Sequence, residues 1–171
     1  FLWPLLGFGG AGQGGVFVFV GGAVAFLGTG GGGLQLAVLL MQAVNLGTRG
    51  IEAACNLLEY CNHPSGTKYS DLRVKHGVKD PHNIKVWCLG NEMDGPWQVG
   101  HMSPEEYAGA VDKVAHAMKL AESGLELVAC GSSGAYMPTF GTWEKTVLTK
   151  AYENLDFVSC HAYYFDRGHK T

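Results

Sequence analysis

The chain has 171 residues, enough for one hydrophobic core, which predicts one domain or part of a larger one. Its net charge is −3, and its 12 basic residues form no run that could follow a phosphate backbone, so no nucleic-acid partner is expected. The cysteines (Cys55, Cys61, Cys88, Cys130 and Cys160) show no Cys-x-x-Cys spacing. Cys88, Cys130 and Cys160 each lie in an apolar strand-like run and are interpreted as buried thiols of a reducing, cytoplasmic compartment.

The first part of the chain has an unusual composition. Residues 1–48 contain no charged side chain and hold 14 of the 26 glycines. The apolar run from Val16 to Leu27 is short for a bilayer span and is interrupted by Gly21-Gly22. No basic segment precedes it, so neither a signal peptide nor a membrane segment is predicted.

From residue 36 onward, strand-like and helix-like segments alternate, which predicts a parallel sheet with right-handed crossovers. Ser103-Pro104-Glu105-Glu106 is typical of a helix start, because Ser103 and Glu106 can cap each other's backbone amides. Residues 65–83 are polar and are interpreted as a surface excursion. The predicted strands are Leu36–Leu46, Ile84–Leu89, Leu125–Gly131 and Asp156–Cys160, and the predicted helices are Ile51–Cys61, the segment after Ser103, and Phe140–Tyr152.

Polar residues follow each predicted strand at its C-terminal end: Asn45, Asn91-Glu92, Ser132-Ser133 and His161 to Tyr163. The C-terminal ends of parallel strands share one edge, which in α/β barrels is the catalytic face. Four or five strands cannot close a ring of eight, so the chain is expected to be the middle of a barrel.

The segment that carries the most chemistry follows the second of these strands. Glu92 and Asp94 come directly after an apolar run, and Trp97 lies close behind them. A carboxylate beside an aromatic surface is suited to general acid catalysis, and Trp97 could offer a stacking face to a sugar ring. The alternative is that the two carboxylates only cap the next element and that Trp97 only packs.

The string Trp87-Cys88-Leu89-Gly90-Asn91-Glu92-Met93-Asp94-Gly95-Pro96-Trp97-Gln98 resembles the acid/base segment of the α-L-arabinofuranosidases of glycoside hydrolase family 51, a clan A family. The resemblance implies an α/β fold that is part of a (β/α)8 TIM barrel, from about strand 2 or 3 to strand 6. It covers residues 41–165 well. Residues 1–40 match only in pieces, and no functional residue is assigned there.

The resemblance also implies a function and roles for individual residues. The family removes terminal, non-reducing α-L-arabinofuranosyl groups from arabinan or arabinoxylan oligosaccharides with retention, and needs no metal or organic cofactor. Glu92 would be the general acid/base, and Asn91 would hydrogen-bond the sugar 2-hydroxyl. His161 and Tyr163 would line the pocket, and Tyr163 would form a hydrogen bond with the nucleophile.

The same resemblance predicts what the chain leaves out. The family's nucleophilic glutamate follows the seventh strand, whereas this sequence stops after the sixth, so no nucleophile is expected here and the isolated chain is expected to be inactive. The remaining glutamates are predicted to lie away from the polar rim: Glu52, Glu59, Glu105, Glu106, Glu122, Glu126, Glu144 and Glu153. The parent enzyme is expected to be a homo-oligomer.

Two other classes of function compete with this hypothesis. A metal-dependent hydrolase could use Glu92, Asp94, His101 and His161, although no paired-histidine motif is present. A non-catalytic remnant of such an enzyme, which binds sugar weakly or not at all, would explain the altered first 40 residues.

Overall fold

The computed structural model describes residues 49–161 without a break, and before them only five strands. The strands are β1 (Leu5–Gly7), β2 (Gly15–Val20), β3 (Ala23–Gly28), β4 (Gln35–Leu39), β5 (Met41–Val44), β6 (Val86–Leu89), β7 (Glu126–Cys130) and β8 (Phe157–Ser159). The helices are α1 (Gly50–Asn62), α2 (Lys68–Lys75), α3 (Pro104–Ala121) and α4 (Thr142–Ala151), followed by a 3₁₀ turn at Tyr152–Asn154.

Eight strands form one sheet in the order β4-β3-β2-β1-β8-β7-β6-β5. Strands β5 to β8 are parallel neighbours, and at least one helix separates each from the next along the chain. The predicted parallel α/β arrangement is therefore confirmed. Strands β1 to β4 pair in antiparallel fashion, and β1 joins them to β8.

The predicted single strand Leu36–Leu46 is wrong in one respect. The structure divides it into β4, which is antiparallel to β3, and β5, which is parallel to β6. A largely apolar run shows where strand structure is favoured but contains no clear signal for a break between Leu39 and Met41 or for the direction of pairing. Only β5 belongs to the parallel part of the sheet.

The core lies between the parallel strands and the helices. Every residue of β6 is buried, as expected for a parallel strand covered on both faces. Trp87 and Leu89 of this strand belong to the same buried cluster as Val111 and Met118 of α3. The core therefore fixes the part of the sheet that carries the candidate site at its edge.

Helix α3 begins as predicted. The Ser103 hydroxyl accepts a hydrogen bond from the Glu106 amide at 3.3 Å, and the Glu106 carboxylate accepts one from the Ser103 amide at 2.8 Å. Tyr107, Val111, Val114 and Met118 of this helix are buried, whereas Ala121 at its end is exposed. One face of the helix therefore packs against the core.

Residues 65–83 were predicted to be a surface excursion, yet they contain helix α2 with a fully buried arginine. The Arg73 guanidinium donates to the carbonyls of Tyr60 at 2.8 Å, His63 at 2.7 Å and Lys79 at 3.4 Å. Tyr60 and His63 lie at the end of α1, where helix carbonyls lack helical partners and the helix dipole is negative. Arg73 therefore caps α1 from a neighbouring helix.

The C-terminal ends of β6 and β7 are joined by one side chain. The Tyr107 hydroxyl donates to the Leu89 carbonyl at 2.6 Å and accepts from the Cys130 amide at 2.7 Å. Its ring stacks on Trp143, with centroids 5.0 Å apart, and the Trp143 indole donates to the Cys130 carbonyl at 2.8 Å. The two loops that follow these strands therefore start from fixed points.

We expect Tyr107→Phe to lower the free energy of unfolding by about 2 kcal/mol, because it leaves a buried carbonyl and a buried amide without their hydroxyl partner. Urea unfolding followed by circular dichroism measures the change. Tyr152→Phe removes a hydroxyl from an exposed ring and is the matched control. Equal stabilities for the two variants would contradict this role of Tyr107.

No helix among the described residues is both long enough and apolar enough to cross a membrane.

Candidate active site

A sharp turn follows β6 and carries the candidate acid/base. Gly90 has φ +106°, and a Cβ at this position would come within 2.9 Å of Met93 Cγ, so glycine is required. Glu92 has φ +49°, and its carbonyl accepts a hydrogen bond from the Gly95 amide at 2.9 Å. A non-glycine residue in this region costs about 1–3 kcal/mol and persists only where its surroundings hold it.

The Glu92 carboxylate lies between two nitrogen-bearing rings. Its Oε1 is 2.8 Å from His161 Nδ1, and its Oε2 accepts a hydrogen bond from Trp97 Nε1 at 2.9 Å. Glu92 follows β6 and His161 follows β8, so the contact spans the end of β7, which lies between them in the sheet. Glu92 and His161 therefore meet at one edge, as predicted, while Asn45 of the same prediction lies outside the described residues.

His161 is buried, and burial lowers the pKa of its imidazole, while the Glu92 and Asp94 carboxylates act in the opposite direction. Because burial outweighs the carboxylates, the ring is mainly neutral at pH 7. A neutral imidazole nitrogen can donate to a carboxylate or accept from a carboxylic acid, depending on the tautomer. His161 can therefore partner Glu92 in both of its protonation states.

Trp97 and Asn91 flank the turn on its solvent side. The Trp97 side chain is 53% exposed, and its ring packs on Gly95, where a Cβ would come within 2.5 Å of the ring. The indole therefore contacts the backbone along its nitrogen-bearing side, and its exposure leaves area on which a sugar ring could stack. Asn91 is exposed beside Glu92.

Asp94 is a residue of the site to which the sequence analysis gave only a capping or metal-binding role. It is buried, and its carboxylate accepts hydrogen bonds from the loop after β7. Burial alone raises the pKa of Asp94, but hydrogen bonds from Ser132, Ser133 and Thr139 outweigh burial and hold it below its usual value. Asp94 is therefore a carboxylate at neutral pH. The sequence feature that could have predicted this contact is the pair Ser132-Ser133 after β7, whose hydroxyls can donate to a carboxylate.

The prediction that Glu144 lies away from the polar rim is wrong. Its Oε1 accepts from the Ser132 amide at 2.8 Å and its Oε2 from the Gly141 amide at 2.7 Å. The side chain reaches back from the first turn of α4, where a carboxylate is favoured by the helix dipole. Glu144 thus fixes the loop after β7 and has both oxygens engaged.

The other predicted residues do not form a metal centre. Among residues 49–161 and the five earlier strands, no three His, Cys, Asp or Glu side chains are grouped to hold an ion. His101 is exposed, while Glu92 and His161 contact each other. Tyr163 lies outside the described residues. The metal-dependent hydrolase hypothesis therefore gains no support from the geometry.

Comparison with known proteins supplies the context for this geometry. Residues 28–170 match the family described as the α-L-arabinofuranosidase 1 domain. The chain is 81% identical over 132 residues to an intracellular exo-α-(1→5)-L-arabinofuranosidase of Bifidobacterium longum, covering 77% of this chain and 23% of the relative. It is 64% identical over 132 residues to a protein of the same name from Acetivibrio thermocellus, covering 77% of this chain and 26% of that one.

A solved structure of a family 51 α-L-arabinofuranosidase from Bifidobacterium longum superposes with a TM-score of 0.74 at 80% identity. The match covers 77% of this chain and 26% of the solved one. The chain thus spans about a quarter of the length of the relatives it matches. The predicted fold, part of a (β/α)8 barrel, is confirmed.

Proposed function

Because this chain belongs to the α-L-arabinofuranosidases of glycoside hydrolase family 51, we propose that it supplies the acid/base side of a retaining arabinofuranosidase site. The observation that carries the proposal is the position of Glu92. Its carboxylate is nearly buried at the C-terminal edge of the parallel strands and is held by Trp97 and His161. A general acid needs this combination of fixed geometry and restricted solvent.

The mechanism uses Glu92 twice. In the first step its acid form protonates the glycosidic oxygen while a second carboxylate, the nucleophile, attacks the anomeric carbon. In the second step the carboxylate form takes a proton from the water that releases the sugar. His161, which can accept from the acid or donate to the carboxylate, keeps Glu92 oriented through both steps.

The substrate is proposed to be a terminal, non-reducing α-L-arabinofuranosyl group of an arabinan or arabinoxylan oligosaccharide. The two relatives named above carry exo-α-(1→5) activity in their names, which favours this linkage. Asn91 is proposed to hydrogen-bond the sugar 2-hydroxyl, and Trp97 to stack on a sugar ring. Tyr163 is proposed to line the pocket and to form a hydrogen bond with the nucleophile, and no cofactor takes part.

The remaining proposals concern the whole protein. We propose that residues 1–171 form part of one catalytic barrel domain and that the nucleophile follows a strand outside this sequence. The parent enzyme is proposed to be a homo-oligomer. The two relatives are named as intracellular, which supports an intracellular location for this chain as well.

A chimera tests the function directly. Residues 41–165 of this chain replace the corresponding stretch of the Bifidobacterium longum relative, so that the relative supplies the rest of the barrel. We expect the chimera to release single arabinose units from α-(1→5)-arabino-oligosaccharides and the isolated 171-residue chain to release none. Chromatography of the products measures both.

A matched substrate pair makes the result specific. We expect p-nitrophenyl α-L-arabinofuranoside to be cleaved and p-nitrophenyl β-D-glucopyranoside to be left intact. A folded chimera without activity on arabinofuranosides would favour the non-catalytic remnant instead.

A further inference from the structure

Asp94 follows Glu92 by two residues, yet its side chain points away from the turn. Its Oδ1 accepts hydrogen bonds from the Ser133 amide at 2.9 Å and from the Ser133 hydroxyl. Its Oδ2 accepts from the Ser132 hydroxyl at 2.7 Å and from the Thr139 hydroxyl at 2.5 Å. All four donors belong to the loop between β7 and α4.

That loop is itself fixed to the scaffold. The Gly131 amide donates to the Ser159 carbonyl of β8 at 3.0 Å, and the Ser132 amide donates to Glu144 of α4. A Cβ at Gly131 would come within 2.2 Å of the Ser159 carbonyl oxygen, so the close approach depends on glycine. The Asp94 carboxylate is therefore attached to a part of the molecule that has little freedom to move.

These contacts form a closed circuit around the candidate acid/base. From Glu92 the chain leads to Asp94, which accepts a hydrogen bond from the Ser132 hydroxyl, and Ser132 is the chain neighbour of Gly131. The Gly131 amide leads to Ser159, and two residues later His161 returns to the Glu92 carboxylate. Glu92 adopts an unfavourable backbone conformation, which persists where surrounding contacts hold the turn, and the Asp94 hydrogen bonds supply such contacts.

We propose that Asp94 is a positioning residue, which anchors the Glu92 turn to the loop after β7 and thereby sets the contacts of Glu92 with His161 and Trp97. The proposal rests on Glu92 being the acid/base of the proposed function. Asp94 is not itself a proton donor, because its two oxygens accept four hydrogen bonds. It acts through the geometry of Glu92.

Nuclear magnetic resonance of the full 171-residue chain tests the proposal without requiring turnover. The indole N–H of Trp97 reports the Glu92 contact, and the indole N–H of Trp143, bonded to Cys130, reports the core. For Asp94→Asn and Asp94→Ala we expect the Trp97 N–H to lose its hydrogen-bonded shift and exchange with solvent about tenfold faster or more, with Asp94→Ala the stronger. The Trp143 signal is expected to stay in place.

Two controls separate positioning from a general loss of structure. Glu106→Gln alters a carboxylate that is hydrogen-bonded to Ser103 at the start of α3, where the segment that carries Glu92 and Asp94 ends. This variant should leave the Trp97 signal unchanged. Thr139→Val removes one hydroxyl that binds Asp94 at nearly constant volume and should reproduce part of the effect, whereas Thr139→Ser should preserve the wild-type signal. These milder variants carry the test if Asp94→Ala does not fold.

The proposal is overturned if the Trp97 signal is unchanged in the folded Asp94 variants. It is equally overturned if the Trp97 and Trp143 signals change together in Asp94→Asn and Thr139→Val, because Asp94 would then only stabilise the fold. Failure of the proposed function is detected separately: the chimera would then keep its activity when Glu92→Gln is introduced. That result would leave the indole signals to decide the role of Asp94 in the turn.

Discussion

Glu92→Gln in the chimera is expected to lower kcat/KM for an α-(1→5)-arabino-oligosaccharide by about 10²–10⁴-fold. Glutamine has nearly the same shape and can keep a hydrogen bond from Trp97 and one with His161, so the turn should stay in place. It cannot deliver a proton to the departing sugar oxygen. Initial rates over a range of substrate concentrations measure the loss.

The leaving group identifies the step that fails. A 2,4-dinitrophenolate departs without a proton, so the first half-reaction of Glu92→Gln on the corresponding arabinofuranoside should stay within about tenfold of the parent chimera and give a burst of phenolate. The second half-reaction, which needs a base, should then be slow. Glu105→Gln changes an exposed glutamate in the first turn of α3 and is the control. A Glu92→Gln chimera that cleaves the oligosaccharide within tenfold of the parent would refute the assignment.

Arg73→Met is expected to lower the free energy of unfolding of the 171-residue chain by about 3 kcal/mol or more. Methionine fills much of the arginine volume, so the main loss is of donors. Without the guanidinium, the carbonyls of Tyr60, His63 and Lys79 would lose a partly buried hydrogen-bond donor. A loss of this size is a large part of the 5–15 kcal/mol that is typical of a domain.

Urea unfolding measured by circular dichroism gives the comparison. Lys75→Met makes a similar change two residues later at an exposed position of α2 and should shift the stability by less than about 0.5 kcal/mol. Arg73→Lys keeps the charge but lacks the planar guanidinium, so an intermediate loss is expected. If Arg73→Met and Lys75→Met unfold at the same urea concentration, the capping role of Arg73 is wrong.

The parallel half of the fold could be predicted because its signals are local. Alternating apolar segments predicted the order of β6, α3, β7, α4 and β8, and the serine–glutamate cap predicted the start of α3. Parallel strands present their C-terminal ends at one edge of the sheet, and this rule predicted that Glu92 and His161 lie at the same edge.

The contacts that fix the site could not be predicted in the same way, because they join segments far apart in sequence. Asp94 is 38 positions from Ser132 and 45 from Thr139, and no periodicity links them. Arg73 was read as part of a polar surface segment, since charged residues are rarely buried and its partners are backbone carbonyls that every residue carries. Glu144 is predicted to lie away from the polar rim, whereas its side chain turns back toward the loop before the helix.

The described contacts that orient Glu92 all come from one continuous stretch, since Glu92 and His161 are 69 positions apart and Asp94, Trp97 and the loop after β7 lie between them. A ribosome that has released this stretch has supplied every one of these partners. The contacts of Glu92 with Trp97 and His161 can therefore form during synthesis, as soon as this stretch has left the ribosome.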